Sequence, residues 1–172
     1  SEALRQGLPI PEDFRLGCDL YLAETTAVWG PVVSLSDVGG CYRVHGANNW
    51  STGKLDVKYI RQKIEWTLRS HDHLRKRCAE LNIDCPAKAT EALDVAFISA
   101  RLASLRLDAS THPIAEDHRI GLTLRGIRAA LLHPHHTGKH KAKRIGWLLG
   151  VGLGNQRLAR RFIGRFYFRP AG

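Results

Sequence analysis

The sequence lacks several things, and each absence removes a class of protein. No two of its four cysteines, at positions 18, 41, 78 and 85, form a Cys-x-x-Cys pair. That irregular spacing fits neither a zinc ribbon nor the dense disulfide framework of a small secreted domain, so free thiols in a reducing compartment are expected. Long apolar runs are missing as well: the uncharged stretch Ile145 to Gln156 is about half of the roughly 20 residues a membrane-spanning helix requires. The first residues carry no signal-peptide pattern, and neither an internal repeat nor a low-complexity segment is visible. Acidic residues are absent from His118 to Gly172, where twelve Lys and Arg stand without a single Asp or Glu. Such a segment seeks an anionic surface, phospholipid or nucleic acid.

What is present is ordinary globular material: 172 residues, 44% hydrophobic and 24% charged, with a net charge of +10. That suffices for one core, or for a small core with an appendage. Pro9-Ile10-Pro11 breaks the chain, and Pro11-Glu12-Asp13 suits a first helical turn. A helix is expected from there to Trp29, its inward stripe Phe14, Cys18, Leu22, Thr25 and Trp29, ended by Gly30-Pro31. Val32 to Leu35 reads as a short strand and Cys41 to His45 as a second one, whose alternation puts Cys41, Arg43 and His45 on one face. Gly46 to Gly53 has loop composition. Thereafter the period is helical, with expected helices from Ile60 to Leu81, Pro86 to Leu107, Ala115 to Leu132 and Lys139 to Tyr167. Two strands make no independent sheet, so the front of the chain reads as the end of something larger.

Three quoted segments carry a family resemblance: Leu8-Pro-Ile-Pro-Glu-Asp-Phe-Arg-Leu-Gly-Cys-Asp19-Leu-Tyr-Leu22, then Trp29-Gly-Pro-Val32, then Cys41-Tyr-Arg-Val-His45-Gly-Ala-Asn48-Asn49. Together they resemble the latter part of bacterial family 2, GT-A type, glycosyltransferases, in which an (E/A)D-x-x-L helix is followed by glycine and a Tyr-Arg-x-His-Gly-x-Asn segment. Gly30 lies eleven residues after Asp19, and His45 twenty-six, in agreement with that layout. The resemblance is specific over residues 8–51 and general beyond them. Position 18 is Cys where many relatives have Glu, and the Asp-x-Asp metal motif with its nucleotide-binding βαβ half is absent.

The resemblance implies an α+β, mostly α chain: residues 1–53 as the carboxyl-terminal, acceptor-side part of a GT-A α/β domain with one helix and two short strands, and residues 54–172 as a helical, basic extension. It implies an inverting transfer of sugar from a nucleotide-sugar donor to a glycan or lipid-linked acceptor in cell-surface polysaccharide synthesis, the fragment alone being inactive. Asp19 would be the general base, a carboxylate on a rigid helix within reach of the acceptor hydroxyl; its plainer reading is a solvated helix residue. His45 would complete the shell of a divalent Mn or Mg ion whose other ligands belong to the missing half, or be a hydrogen-bonded strand histidine. Arg43 offers a planar cation for a diphosphate or for a structural ion pair. Tyr42, Asn48 and Trp50 have the chemistry of a sugar site, while Asn49 fits loop capping better. Asn49-Trp50-Ser51 matches the N-glycosylation rule by chance.

Two further features lie in the last third. His133, His135, His136 and His140 match no closed zinc set, and a polar loop between helices explains them. Lys141, Lys143, Arg144, Trp147, Arg160 and Arg161 flank an apolar patch with basic and aromatic groups, as in a helix lying in an anionic membrane interface. That suits a peripheral location on the inner face of the cell membrane. A basic helical module binding membrane or nucleic acid without catalysis is the competing reading; nucleic acid is disfavoured because the basic residues form no recognition motif.

Overall fold

A computed structural model describes residues 2–14, 18–29, 33, 39, 57–85 and 91–167 of the chain. Its elements are helices α1 (Glu2–Gln6), α2 (Cys18–Thr26), α3 (Val57–Glu80), α4 (Val95–Leu107), α5 (Arg119–Leu132), α6 (Gly138–Leu153) and α7 (Gln156–Tyr167), with 3₁₀ turns at Glu12–Phe14, Ala27–Trp29 and Ala109–Thr111. Helix accounts for 78% of the structure, with no strand and no sheet among the described residues. The expected α+β class, a GT-A fragment with two short strands, is corrected accordingly. The segments on which those strands were expected, 32–35 and 41–45, lie outside the described residues apart from Val33. Apolar burial in the described chain is accomplished by helix against helix, so no sheet is needed to hold the core.

The chain divides into two compact units, Ser1–Arg43 with Trp66–Ala87, and Val44–Glu65 with Lys88–Gly172. Helix α3 is one uninterrupted helix that contributes its first residues to the second unit and the remainder to the first.

In the first unit the expected long helix from Pro11 to Trp29 is replaced by a 3₁₀ turn, α2 and a second 3₁₀ turn. Of its expected stripe, Phe14 and Thr25 are buried, whereas Cys18 is exposed. Phe14 meets Tyr21 at 4.7 Å and His73 of α3 at 5.1 Å between ring centroids. The Ser70 hydroxyl donates to Glu24, joining α3 to α2. At the end of α3, Asn82 takes the left-handed conformation (φ 54°) and Ile83 N donates to Cys78 O at 2.9 Å, closing the helix as a glycine cap would. Burial, with Cys85 beside it, pushes the Cys78 thiol up, an inert environment for a cysteine.

The second unit is organised around α4, which is buried nearly all round: Val95, Phe97, Ile98, Ser99, Ala100, Leu102, Ala103 and Ser104 are inaccessible. The expected start at Pro86 is not met by a continuous helix, since Asp94 caps α4 with hydrogen bonds from Ala96 N (2.8 Å) and Phe97 N (2.9 Å). Helices α5, α6 and α7 pack on it, with α5 also against α6 and α6 against α7. Close approach of α5 and α6 depends on glycine: a Cβ on Gly152 would overlap Thr123 Oγ1, and one on Gly126 would come within 2.7 Å of Leu148 Cδ2. The single helix expected from Lys139 to Tyr167 is two helices. Gly154 leaves the helical region, and Asn155 Oδ1 accepts from Leu158 N at 2.9 Å to start α7. Arg106 holds this corner from the end of α4, donating to Gly154 O at 2.7 Å.

Candidate functional site

The first turn of α2 carries Asp19, where the helix dipole favours a carboxylate, and the residue is exposed. The first unit also contains a cavity of about 430 Å³ walled by Tyr21, Thr25, His73, Arg77 and Glu80. Asp19 is not among its described lining residues. Arg77 is engaged there, donating to Glu80 at 2.7 Å and lying 5.5 Å from the centroid of Trp29. The other residues expected around Asp19, namely Tyr42, Arg43, His45, Asn48 and Trp50, lie outside the described residues. No group of three or more His, Cys, Asp or Glu that could hold a metal ion occurs among the described residues. The donor set for a divalent cation is therefore not found there.

The residues expected at a membrane differ in exposure. Lys143, Arg160 and Arg161 are exposed. Lys141 is half-buried, its ammonium donating to Leu131 O at 2.6 Å, where it satisfies the carboxyl end of α5. Trp147 is 6% exposed and its indole N–H donates to Phe162 O at 3.0 Å, joining α6 to α7. Exposed apolar groups lie elsewhere. On α5, Ile120, Leu124 and Leu131 are 56%, 62% and 54% exposed, and on α6 Leu153 is 60% exposed. Positions 120, 124, 127 and 131 repeat at helical spacing, so they form one stripe on the outside of α5. The alternating basic and apolar pattern was legible, but which apolar residues are covered depends on packing partners that periodicity does not name.

A polar line that sequence reasoning missed runs through the second unit. Ser104 Oγ lies 3.0 Å from His112 Nδ1, and His112 Nε2 lies 3.0 Å from Asp117 Oδ2. The order of groups is that of a hydrolytic triad, but the surroundings are not. Ser104 is 0% exposed, and the His112 and Asp117 side chains are 2% and 3% exposed. Arg101 also donates to both Asp117 oxygens, with Nε at 2.8 Å. Burial pushes the Asp117 carboxyl up, but the Arg101 guanidinium and the His112 ring together hold it below its ordinary value. A nucleophile sealed from any carbonyl cannot attack one, so this line ties α4 to the loop before α5. Asp108 serves the same region: the Ser110 and Thr111 hydroxyls and Arg61 at 2.8 Å hold its carboxyl well below the usual range.

A concavity of about 900 Å³ in the second unit lies among the His133–Thr137 loop, the start of α6 and the end of α7. His135, His136, His140, Lys143, Arg144 and Arg165 supply its polar wall, and Trp147, Phe162 and Phe166 its apolar one. The His133 and His136 rings stack at 3.6 Å, 11° from parallel. Burial, then His133, Arg144, His140 and Lys141, pull the His136 ring down from its ordinary value. No helix among the described residues is long and apolar enough to cross a membrane. In comparisons with known proteins, no protein-family model, no curated protein and no solved structure matches this chain.

Proposed function

We propose that the chain is the acceptor-side part of an inverting glycosyltransferase, similar to those of family 2, working peripherally at an anionic membrane surface. The observation that carries the membrane part is the exposed Ile120, Leu124 and Leu131 stripe, set in a stretch with twelve cationic and no acidic side chains. Apolar area left in water is costly at roughly 25 cal/mol per Å². Insertion of such a stripe to the acyl boundary relieves that cost, while lysines and arginines near the headgroups contribute about 1 kcal/mol each. Duplex nucleic acid offers phosphates but no apolar layer, and so leaves the stripe unused.

The catalytic part rests on the motif spacing from Asp19 to Gly30 and His45 and on the exposure of the Asp19 carboxylate. In this reading Asp19 removes the proton from an acceptor hydroxyl as its oxygen attacks the anomeric carbon of a nucleotide-sugar and the nucleoside diphosphate departs, inverting the centre. The residues 42, 43, 48 and 50 would meet the sugars, and His45 the diphosphate or its cation. The sugar donor would bind a half of the enzyme that these residues do not include.

Two experiments test the reading. In a protein that joins this chain to a donor-binding half, Asp19→Asn should lower the turnover number at least about 100-fold with little change in donor binding; unchanged transfer would remove Asp19 as the base. Sedimentation with vesicles of anionic and of neutral phospholipid should show binding to the former only. Retention of random duplex DNA without vesicle binding would instead favour a nucleic-acid module.

A further inference from the structure

The cavity among the His133–Thr137 loop, α6 and α7 has no part in the reaction just described, yet its chemistry is specific. Its described polar side chains are histidines, lysine and arginines, and no carboxylate is among them. Those basic groups converge from three elements: His135 and His136 from the loop, His140, Lys143 and Arg144 from α6, and Arg165 from α7. Close packing of like charges raises the free energy of the empty protein, and an anion placed among them relieves it. The remaining wall is aromatic. Phe166, 42% exposed, has the Arg144 guanidinium 4.5 Å from its centroid and Trp147 at 5.0 Å.

We propose that this cavity binds a phosphate monoester or diphosphate carrying an apolar chain, the phosphate among His136, His140, Lys143 and Arg165 and the chain along Phe162 and Phe166. Inorganic phosphate would leave the aromatic wall wet. A nucleotide is the next candidate, but the side chains here present almost only N–H donors, whereas the edge of a base requires donors and acceptors together. His133 Nδ1 and His136 Nδ1 are buried without a hydrogen-bond partner, and buried polar atoms left in this way are ones a ligand can satisfy. The side chains facing them are His135 on the loop, His140, Lys141, Lys143 and Arg144 on α6, and Arg165 on α7; none is acidic. The site stands on the cavity alone and is independent of sugar transfer, although the amphiphile it selects would be at hand at a membrane.

Calorimetric titration of the full 172-residue chain with octyl phosphate, below the concentration at which it self-associates, reads the site directly. Octyl phosphate should bind at least about tenfold more tightly than inorganic phosphate, octyl glucoside or a nucleoside monophosphate. Arg165→Gln and His136→Gln should each weaken it about tenfold, while Arg125→Gln and Arg128→Gln on α5 leave it unchanged. Arg165 is exposed, and unaltered circular dichroism of its variant separates lost binding from lost folding. Vesicles with and without phosphatidic acid decide whether the phosphate is taken from a bilayer as well as from solution. Equal loss in the α5 variants would reduce the effect to general surface charge and overturn the proposal, as would tighter binding of the nucleotide. Failure here leaves the Asp19 and vesicle-sedimentation experiments untouched, because neither uses this cavity.

Discussion

Asp117 shows how much one carboxylate can organise. It receives Arg101 from α4 and His112 from the connecting loop, with its own side chain 3% exposed. Asp117→Asn leaves the half-buried Arg101 guanidinium without its countercharge, and breaking such a pair costs about 3 kcal/mol, to be read from urea unfolding. The pH response has a definite sign. Because the folded carboxyl is held below its unfolded value near 3.9, its stabilisation is complete above about pH 4 and is lost as pH falls through the folded value. The wild type should therefore lose stability more steeply than the variant on acidification; parallel acid limbs would contradict the assignment. This network was invisible in the sequence. Ser104, His112 and Asp117 are held together by a loop with no motif of its own, and a helix expected to begin at Ala115 would have placed Asp117 inside it.

Among the elements, boundaries are where local chemistry and packing disagreed. Helical periodicity located α3, α5 and the last third of the chain, because apolar residues at helical spacing must be buried together. It did not reveal the break at Gly154-Asn155, although an asparagine after a glycine is a capping signal, because the apolar pattern continues on both sides. Periodicity likewise runs through Asp94 as helix interior, whereas it is the cap of α4. Asp94→Ala should destabilise the chain by about 1 kcal/mol in thermal or urea unfolding. Gly152→Ala should cost more than Gly164→Ala, since a Cβ overlaps Thr123 at the former and meets nothing within 4 Å at the latter. Equal effects on the melting temperature would contradict the close α5–α6 contact.

For the molecule as a whole, composition foretold an attraction to anions, but not which surfaces would express it. Residues 41–50, which carry most of the family resemblance, lie outside the described structure, so the candidate catalytic constellation is represented here by Asp19 alone. In the second unit the fold moved Trp147 inward and turned Ile120, Leu124 and Leu131 outward, because α5 and α6 meet through their glycine-bearing sides. Leu124→Glu should consequently reduce sedimentation with anionic vesicles by about tenfold and leave the melting temperature nearly unchanged, as expected for a 62% exposed position. The unbroken positive sign of residues 118–167 has a practical corollary. Lysine and arginine keep their protons well past neutrality. A sulfonated resin should therefore retain the chain across ordinary laboratory buffers, and rising ionic strength, not alkalinity, should be what releases it.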